Sequence, residues 1–182
     1  MRKIAVTTFL LLLASLATAQ IPTSGNVFFG YSYYHTPLSS IDTANTNGWE
    51  ASFEGKVLPL LGFVGDVSGH YGSENFPVAC GGGPTCSPLN VNLSEHNYLV
   101  GPRLSVSVGK YRPFAQALFG VGHVNANAAG SDTSFATALG GGLDYRLVRL
   151  VAWRIQGDYV QTRFFGTRQN NIRIATGIAI HF

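Results

Sequence analysis

Charge is scarce in this sequence, and so is cysteine. Charged residues make up 12% of the 182 positions, against about 25% in typical soluble domains, and only two residues are cysteine. No cluster of Lys and Arg with interleaved aromatic residues occurs, so we expect no nucleic-acid partner. Because 46% of the residues are hydrophobic, the chain is not of the disordered class. The length of 182 residues is typical of a single folded domain.

The first residues have the pattern of a secretory signal. Arg2 and Lys3 precede an apolar run, and residues 17–19 read Ala-Thr-Ala, a small-x-small cleavage site. The run falls short of the ~20 residues that a membrane-spanning helix needs, which disfavours the alternative of an N-terminal anchor. We therefore predict a cleaved signal peptide over residues 1–19 and an exported domain over residues 20–182.

No long apolar run follows residue 19. An exported chain without spanning helices is either soluble or a membrane β-barrel. Eight segments instead alternate apolar and polar residues, which predicts eight β-strands. In the fifth strand, the sequence decides least clearly which side is the apolar side. Pro102 lies on the apolar side of the fourth, where we expect a bulge or weak pairing.

The predicted connections also alternate in length. Those after strands two, four and six are short, whereas those after one, three and five are longer and polar. This pattern is typical of an all-β, eight-stranded antiparallel up-and-down transmembrane β-barrel. One long connection contains Cys80 and Cys86, five residues apart. In an exported chain the pair predicts a disulfide bond; a zinc site would need further ligands.

Two features decide which face meets lipid. The polar face is poor in lysine, unlike the surface of a soluble barrel that keeps its apolar side inside. Aromatic residues stand near strand ends on the apolar side, as in the girdles at membrane interfaces. They are Tyr33, Trp49, Tyr71, Trp153 and Tyr159. A soluble ligand-binding barrel remains the alternative if the polar face is outside.

The mature chain resembles the OmpA-like outer-membrane β-barrel proteins throughout. The stretches that carry the resemblance are VFFGYSYY, GWEASFEGKV, GFVGDVSGHYG, VGPRLS, PFAQALFGVGH, TALGGGLDYR and RQNNIRIATGIAIHF. The resemblance implies a monomer in the bacterial outer membrane, in contact with outer-membrane lipid. It also implies that the barrel assembly machinery reads the last strand, whose assembly signal would be Ile178, Ile180 and Phe182.

With the apolar side in lipid, the charged side chains of the strands face the lumen. They form a predicted polar network of Glu50, Glu54, Lys56, Asp66, His70, Arg103, Asp144, Arg154, Asp158 and Arg173. An eight-stranded barrel is only wide enough for side chains to fill it, so we interpret this network as a salt-bridged plug. The alternative is a narrow, porin-like diffusion channel.

An outer-membrane enzyme is the third possibility. His35 stands near Ser39, Ser40 and Asp42 in sequence, but no G-x-S-x-G nucleophile motif occurs. We therefore predict no enzymatic activity, no cofactor and no metal. The expected role is structural or adhesive, with surface loops that present a site for an extracellular ligand.

Overall fold

The computed structural model describes residues 24–37, 43–76, 89–127 and 130–182. Period-two alternation folds into strands throughout, because successive side chains point to opposite sides of a sheet. The strands are β1 Gly25–Pro37, β2 Thr43–Lys56, β3 Leu61–Phe76, β4 Leu89–Ser105, β5 Tyr111–Ala126, β6 Gly130–Arg146, β7 Val151–Thr162 and β8 Gln169–His181. A short 3₁₀ turn, Phe164–Gly166, precedes β8. Within these described ranges, no helix is long and apolar enough to cross a membrane.

The eight strands close into one antiparallel barrel in which each strand pairs with its neighbours in sequence and β8 pairs with β1. This confirms the predicted fold class. Two backbone hydrogen bonds complete the closure beside β1. Gly25 N donates to Phe182 O over 3.0 Å, and Phe182 N donates to Gly25 O over 3.1 Å.

A pair of glycines lies opposite each other across the β1–β8 seam. Gly30 is the register partner of Gly177. A Cβ atom at Gly177 would lie 2.3 Å from the carbonyl oxygen of Phe29, and one at Gly30 would lie 2.3 Å from that of Thr176. Both distances are far below van der Waals contact, so the close approach of the two strands requires glycine at both positions.

The strands are longer than the sequence predicts. They reach 12 to 17 residues, whereas a tilted membrane crossing needs about 9–11. As predicted, the connections 57–60, 106–110 and 147–150 are short. The connection after β5, predicted to be long, covers only 127–129, because β5 and β6 continue into it. We call the end of the barrel with the three short connections the turn end.

Pro102 weakens pairing on one side only. The β4–β5 ladder runs from Val100–Phe119 to Arg103–Gln116 and skips the two positions between, while β4 remains paired with β3 through Phe63–Pro102. The register is the same on both sides of the interruption, so no bulge forms. The lost proline N–H therefore interrupts the ladder without shifting it.

The apolar face is on the outside of the barrel. Phe135 and Leu139 on β6 are both 67% exposed, whereas charged residues such as Arg103 and Arg154 are fully buried. On β5, Ala115 and Ala117 are exposed, and Gln116 and Leu118 are buried, which settles the facing that the sequence left least decided. A closed barrel with an apolar exterior is compatible with lipid, because closure leaves no strand edge with unpaired backbone groups.

Aromatic side chains near the strand ends have polar partners, as expected at a membrane interface. The indole Nε1 of Trp153 donates to Thr176 Oγ1 over 2.9 Å, and the Tyr33 hydroxyl donates to Asn45 Oδ1 over 2.8 Å. Tyr71 and Tyr159 are each 48% exposed. Trp49 is half-buried on the exterior of β2.

The predicted signal peptide over residues 1–19 lies outside the described residues, as do Cys80 and Cys86. The cleavage and the disulfide bond therefore stay predictions.

Candidate functional site in the barrel lumen

The predicted polar network is inside the barrel. Nine of its members are at most 3% exposed. They are Glu50, Glu54, Asp66, His70, Arg103, Asp144, Arg154, Asp158 and Arg173. Lys56 differs: it lies half-buried at the turn end, where its Nζ donates to the carbonyl oxygen of Pro59 over 2.8 Å. The lumen network therefore has nine predicted charged or titratable members, with Lys56 at its mouth.

Arg173 is the centre of the largest ion cluster. Its Nη1 lies 2.7 Å from Asp66 Oδ1, its Nη2 lies 2.8 Å from Asp158 Oδ2, and its Nε lies 3.3 Å from Glu50 Oε2. The three carboxylates come from β3, β7 and β2, while Arg173 is on β8. One guanidinium thus joins four strands around the lumen, using the planar fork of donors that distinguishes arginine from lysine.

Two glutamines supply donors to the carboxylates of this cluster. Gln156 Nε2 donates to Glu50 Oε1. Gln116 Nε2 donates to Asp158 Oδ1 over 2.7 Å. Buried ions are tolerated when further hydrogen bonds satisfy their remaining lone pairs, and each amide supplies one such bond here, whereas Glu50 Oε2 accepts none.

A second cluster forms around Glu54. Arg103 Nη1 and Arg112 Nη2 each lie 3.2 Å from a Glu54 carboxylate oxygen, and Asn26 Nδ2 donates to Glu54 Oε2 over 2.6 Å. Arg103 also donates through Nε to Gln116 Oε1 over 3.0 Å. Because Gln116 donates to Asp158 as well, it links this cluster to that of Arg173.

The third cluster pairs Arg154 with Asp144. Arg154 Nε and Nη2 lie 2.6 and 2.8 Å from the two Asp144 oxygens, which is a bidentate ion pair. The ring of Phe114 lies between two guanidinium groups: its centroid is 4.8 Å from Arg154 Cζ and 4.4 Å from Arg103 Cζ. The quadrupole of the ring favours both cations on its faces.

The lumen also contains an apolar cluster beside the predicted polar network. The buried side chains of this cluster are Tyr34, Val64, Leu99, Leu118, Ala136, Ala138 and Val160. Tyr34 connects it to the polar network, since its ring stacks on His70 at 4.6 Å and its hydroxyl accepts from Asn171 Nδ2 over 2.9 Å. His70 Nε2 in turn lies 2.9 Å from Ser32 Oγ. The interior is therefore packed by both polar and apolar side chains.

Several members of the network were missed because they lie outside the predicted strands. Glu95, 4% exposed, precedes the predicted start of the fourth strand, and Arg112 precedes Pro113. Continuing the alternation from Asn97 back to Glu95, and from Gln116 back to Arg112, would have placed both side chains inside. The alternation is the signal that identifies both residues, because it continues beyond the ends of the predicted strands.

Three histidines near the strand ends, among them the enzyme candidate His35, have side-chain partners in the described part of the chain. His35 Nδ1 lies 2.7 Å from Asn45 Oδ1, and His123 Nδ1 lies 2.8 Å from Thr133 Oγ1. His96 contacts the Tyr71 hydroxyl at 3.0 Å. Each histidine thus meets a neutral side chain, while Ser39, Ser40 and Asp42 lie outside the described residues. In the part of the chain that is described, no group of three or more His, Cys, Asp or Glu residues could hold a metal ion.

Comparison with known proteins relates the chain to outer-membrane barrels by fold. No family model and no curated protein matches the sequence. Among solved structures, Neisserial surface protein A is 14% identical with a TM-score of 0.66, covering 87% of this chain and 97% of that chain. Ail, the attachment invasion locus protein of Yersinia pestis, solved in complex with the heparin analogue sucrose octasulfate, is 14% identical with a TM-score of 0.57, covering 86% and 98%.

A third solved structure agrees with these two. The outer membrane protein OprG from Pseudomonas aeruginosa is 10% identical with a TM-score of 0.55, and the similarity covers 87% of this chain and 95% of that chain. At such identities the likeness concerns the fold. The chain therefore has the fold of the OmpA-like eight-stranded β-barrels of the bacterial outer membrane.

Proposed function

We propose that the protein is a sealed outer-membrane barrel with a structural and adhesive role. It would stabilise the membrane as a monomer and present the ends of its strands and its connecting loops outside the cell, with no reaction of its own. The observation that carries the proposal is the Arg173 cluster. One guanidinium and three carboxylates from four strands occupy the lumen, and all four side chains are inaccessible.

The width of the barrel supports a sealed lumen. An eight-stranded barrel encloses just enough space for side chains, whereas solute-conducting porins have sixteen or more strands. Arg103 and Arg154 are 0% exposed and Arg173 is 1% exposed. In a water-filled pore these three long side chains would be hydrated, so their complete burial favours a plug over a channel.

The experiment for the sealed lumen is single-channel recording of the refolded protein in planar bilayers. We expect no discrete conductance steps. Heat-modifiable gel mobility of the same preparation shows that the protein is folded. An absence of conductance is then not caused by misfolded protein that failed to insert. Reproducible conductance steps from folded protein would overturn the plug and support the narrow diffusion channel.

The adhesive part of the proposal rests on the surface opposite the turn end. A cavity of about 560 Å³ is lined there mainly by uncharged polar side chains, together with one tyrosine, one leucine and one glycine. Its lining includes Tyr71, Ser73, Asn92, Ser94, Asn125 and Asn127. Amide and hydroxyl groups beside an aromatic ring suit a neutral, hydroxyl-rich ligand, and we propose a neutral glycan.

The test compares binding of the protein to neutral and to sulfated immobilised glycans. We expect binding to a neutral glycan that is lost in an Asn92→Ala/Asn125→Ala variant. A matched pair, Gln161→Ala/Asn170→Ala, removes two exposed amides elsewhere on the barrel and should bind normally. Binding of sulfated glycans alone, or equal loss in both variants, would contradict this site.

A further inference from the structure

The mouth of the lumen at the turn end is a cationic cavity that the plug does not fill. The cavity has a volume of about 260 Å³. Five basic side chains line it: Lys56, Lys110, Arg112, Arg146 and Arg149. They are half of the Lys and Arg residues that follow residue 19. Half of the basic residues of a weakly charged exported domain therefore lie around one cavity.

The cations of this mouth exceed its anions. Asp144 is the one carboxylate side chain in the lining, and both its oxygens are bound by Arg154. Among the described residues, Lys110, Arg146 and Arg149 form no salt bridge. Unpaired cations in a concave site raise the local concentration of anions, because low-dielectric walls focus the field.

Part of the site is held in place before any ligand arrives. Arg112 Nη2 donates to Ser105 Oγ over 3.0 Å and lies 3.2 Å from Glu54 Oε1, while its Nη1 lies 3.0 Å from His181 Nδ1. The backbone N–H of Arg146 donates to the carbonyl oxygen of Lys110 over 2.8 Å and so joins the end of β6 to the short connection 106–110. A cationic side chain that is already held in place loses little conformational entropy when a ligand binds.

We infer that this mouth binds a small anion carrying two or more phosphate or carboxylate groups. The fork of an arginine matches two oxygens of either group, and several such cations favour a multiply charged ligand. Lys56, Arg112 and Arg146 share the inward-facing parity of their strands, so the site opens along the lumen axis and not toward lipid. In the orientation typical of such barrels, short turns face the periplasm, from which the anion would enter. The site does not require the lumen to be sealed.

The test is calorimetric titration of the full-length folded protein, in detergent micelles at low salt, with tripolyphosphate and separately with citrate. We expect saturable one-to-one binding that weakens as salt is added. An Arg146→Gln/Arg149→Gln variant should bind at least tenfold more weakly. Its matched control, Arg163→Gln/Arg168→Gln, removes two exposed arginines from the connection between β7 and β8 and should bind within twofold of the unmodified protein.

Either probe supports the site, and the tighter one assigns the natural charges as phosphate or carboxylate. Heat-modifiable mobility of both double variants shows that each is folded. The inference is overturned if neither probe binds saturably. It is also overturned if both double variants weaken binding equally, because the attraction would then come from the net charge of the protein and not from the mouth.

Discussion

Arg173 Nη1 on β8 lies 2.7 Å from Asp66 Oδ1 on β3, although the two strands share no backbone hydrogen bonds. The ion pair therefore crosses the lumen and restrains the barrel from within. Backbone ladders fix each strand only to its neighbours, and this contact adds a connection between strands that are three positions apart in the barrel. The shape of the barrel thus depends on its interior side chains as well as on its sheet.

Replacing Arg173 with alanine should lower the free energy of unfolding by about 3–5 kcal/mol, because Asp66, Asp158 and Glu50 would be left buried without their shared cation. The measurement is equilibrium urea unfolding of the protein in liposomes, followed by the fluorescence of its two tryptophans. The control, Arg163→Ala, removes an exposed arginine and should change stability by less than about 0.5 kcal/mol. Equal effects in both variants would show that the lumen is hydrated.

Replacing Gly177 with alanine should destabilise the seam by about 1–3 kcal/mol, because the new methyl group would overlap the carbonyl oxygen of Phe29. The fraction of refolded protein with heat-modifiable mobility measures the effect. Gly157→Ala is the matched control on β7, where the nearest atom to an added Cβ is 4.0 Å away. If the folded fraction is the same for both variants, β1 and β8 can move apart at Gly177 without a loss of stability.

Replacing Leu139 with arginine should cost about 2–4 kcal/mol in liposomes, because Leu139 lies on the apolar exterior between Phe135 and Leu143. Leu147→Arg, in the short connection 147–150, should cost at most about 1 kcal/mol, because charge is tolerated near the interface. Urea unfolding measures both. If Leu139→Arg is as well tolerated as Leu147→Arg, the exterior is in water, and the soluble-barrel alternative would apply.

Replacing Phe182 with alanine should reduce the assembled fraction in cells several-fold while leaving refolding into detergent micelles unchanged. The Phe182 ring is 49% exposed and stacks on Phe53 at 5.9 Å, so the folded barrel depends on it weakly. Fractionation with heat-modifiable mobility measures assembly, and Phe165→Ala, another exposed phenylalanine, is the control. Normal assembly of Phe182→Ala in cells would remove the proposed signal of Ile178, Ile180 and Phe182.

Within the predicted strands, the alternation of the sequence was sufficient to place the charged side chains of the network in the lumen. Glu50 and Arg173 could each be assigned to the interior from their own strand, since parity along a strand is a local property. Their contact could not be predicted. It depends on the stagger between strands, which is a property of the closed barrel and is not encoded by any one segment.

The strand ends were predicted less well for a related reason. Beyond the membrane the exterior need not be apolar, so the contrast between the two faces of a strand fades. Glu95 and the exposed Asn92 lie on opposite faces of β4, yet both are polar, and the segment therefore looked like a loop. The sequence pattern assigned no facing to Phe114, whose ring contacts the guanidinium groups of Arg103 and Arg154 inside the barrel.

The closure between β1 and β8 has a kinetic consequence. The other seven pairings join strands that are consecutive in sequence, but the seam joins the two ends of the domain, as in the contact between Tyr34 and Asn171, which are 137 positions apart. Pairing between such distant segments has the largest entropic cost of loop closure, and it is therefore slow. Until it forms, β1 and β8 each expose a row of unpaired backbone groups that can template pairing with another chain. The time between insertion of the hairpins and closing of the seam is therefore when this barrel is most prone to aggregate, and when a catalyst of assembly would have the greatest effect.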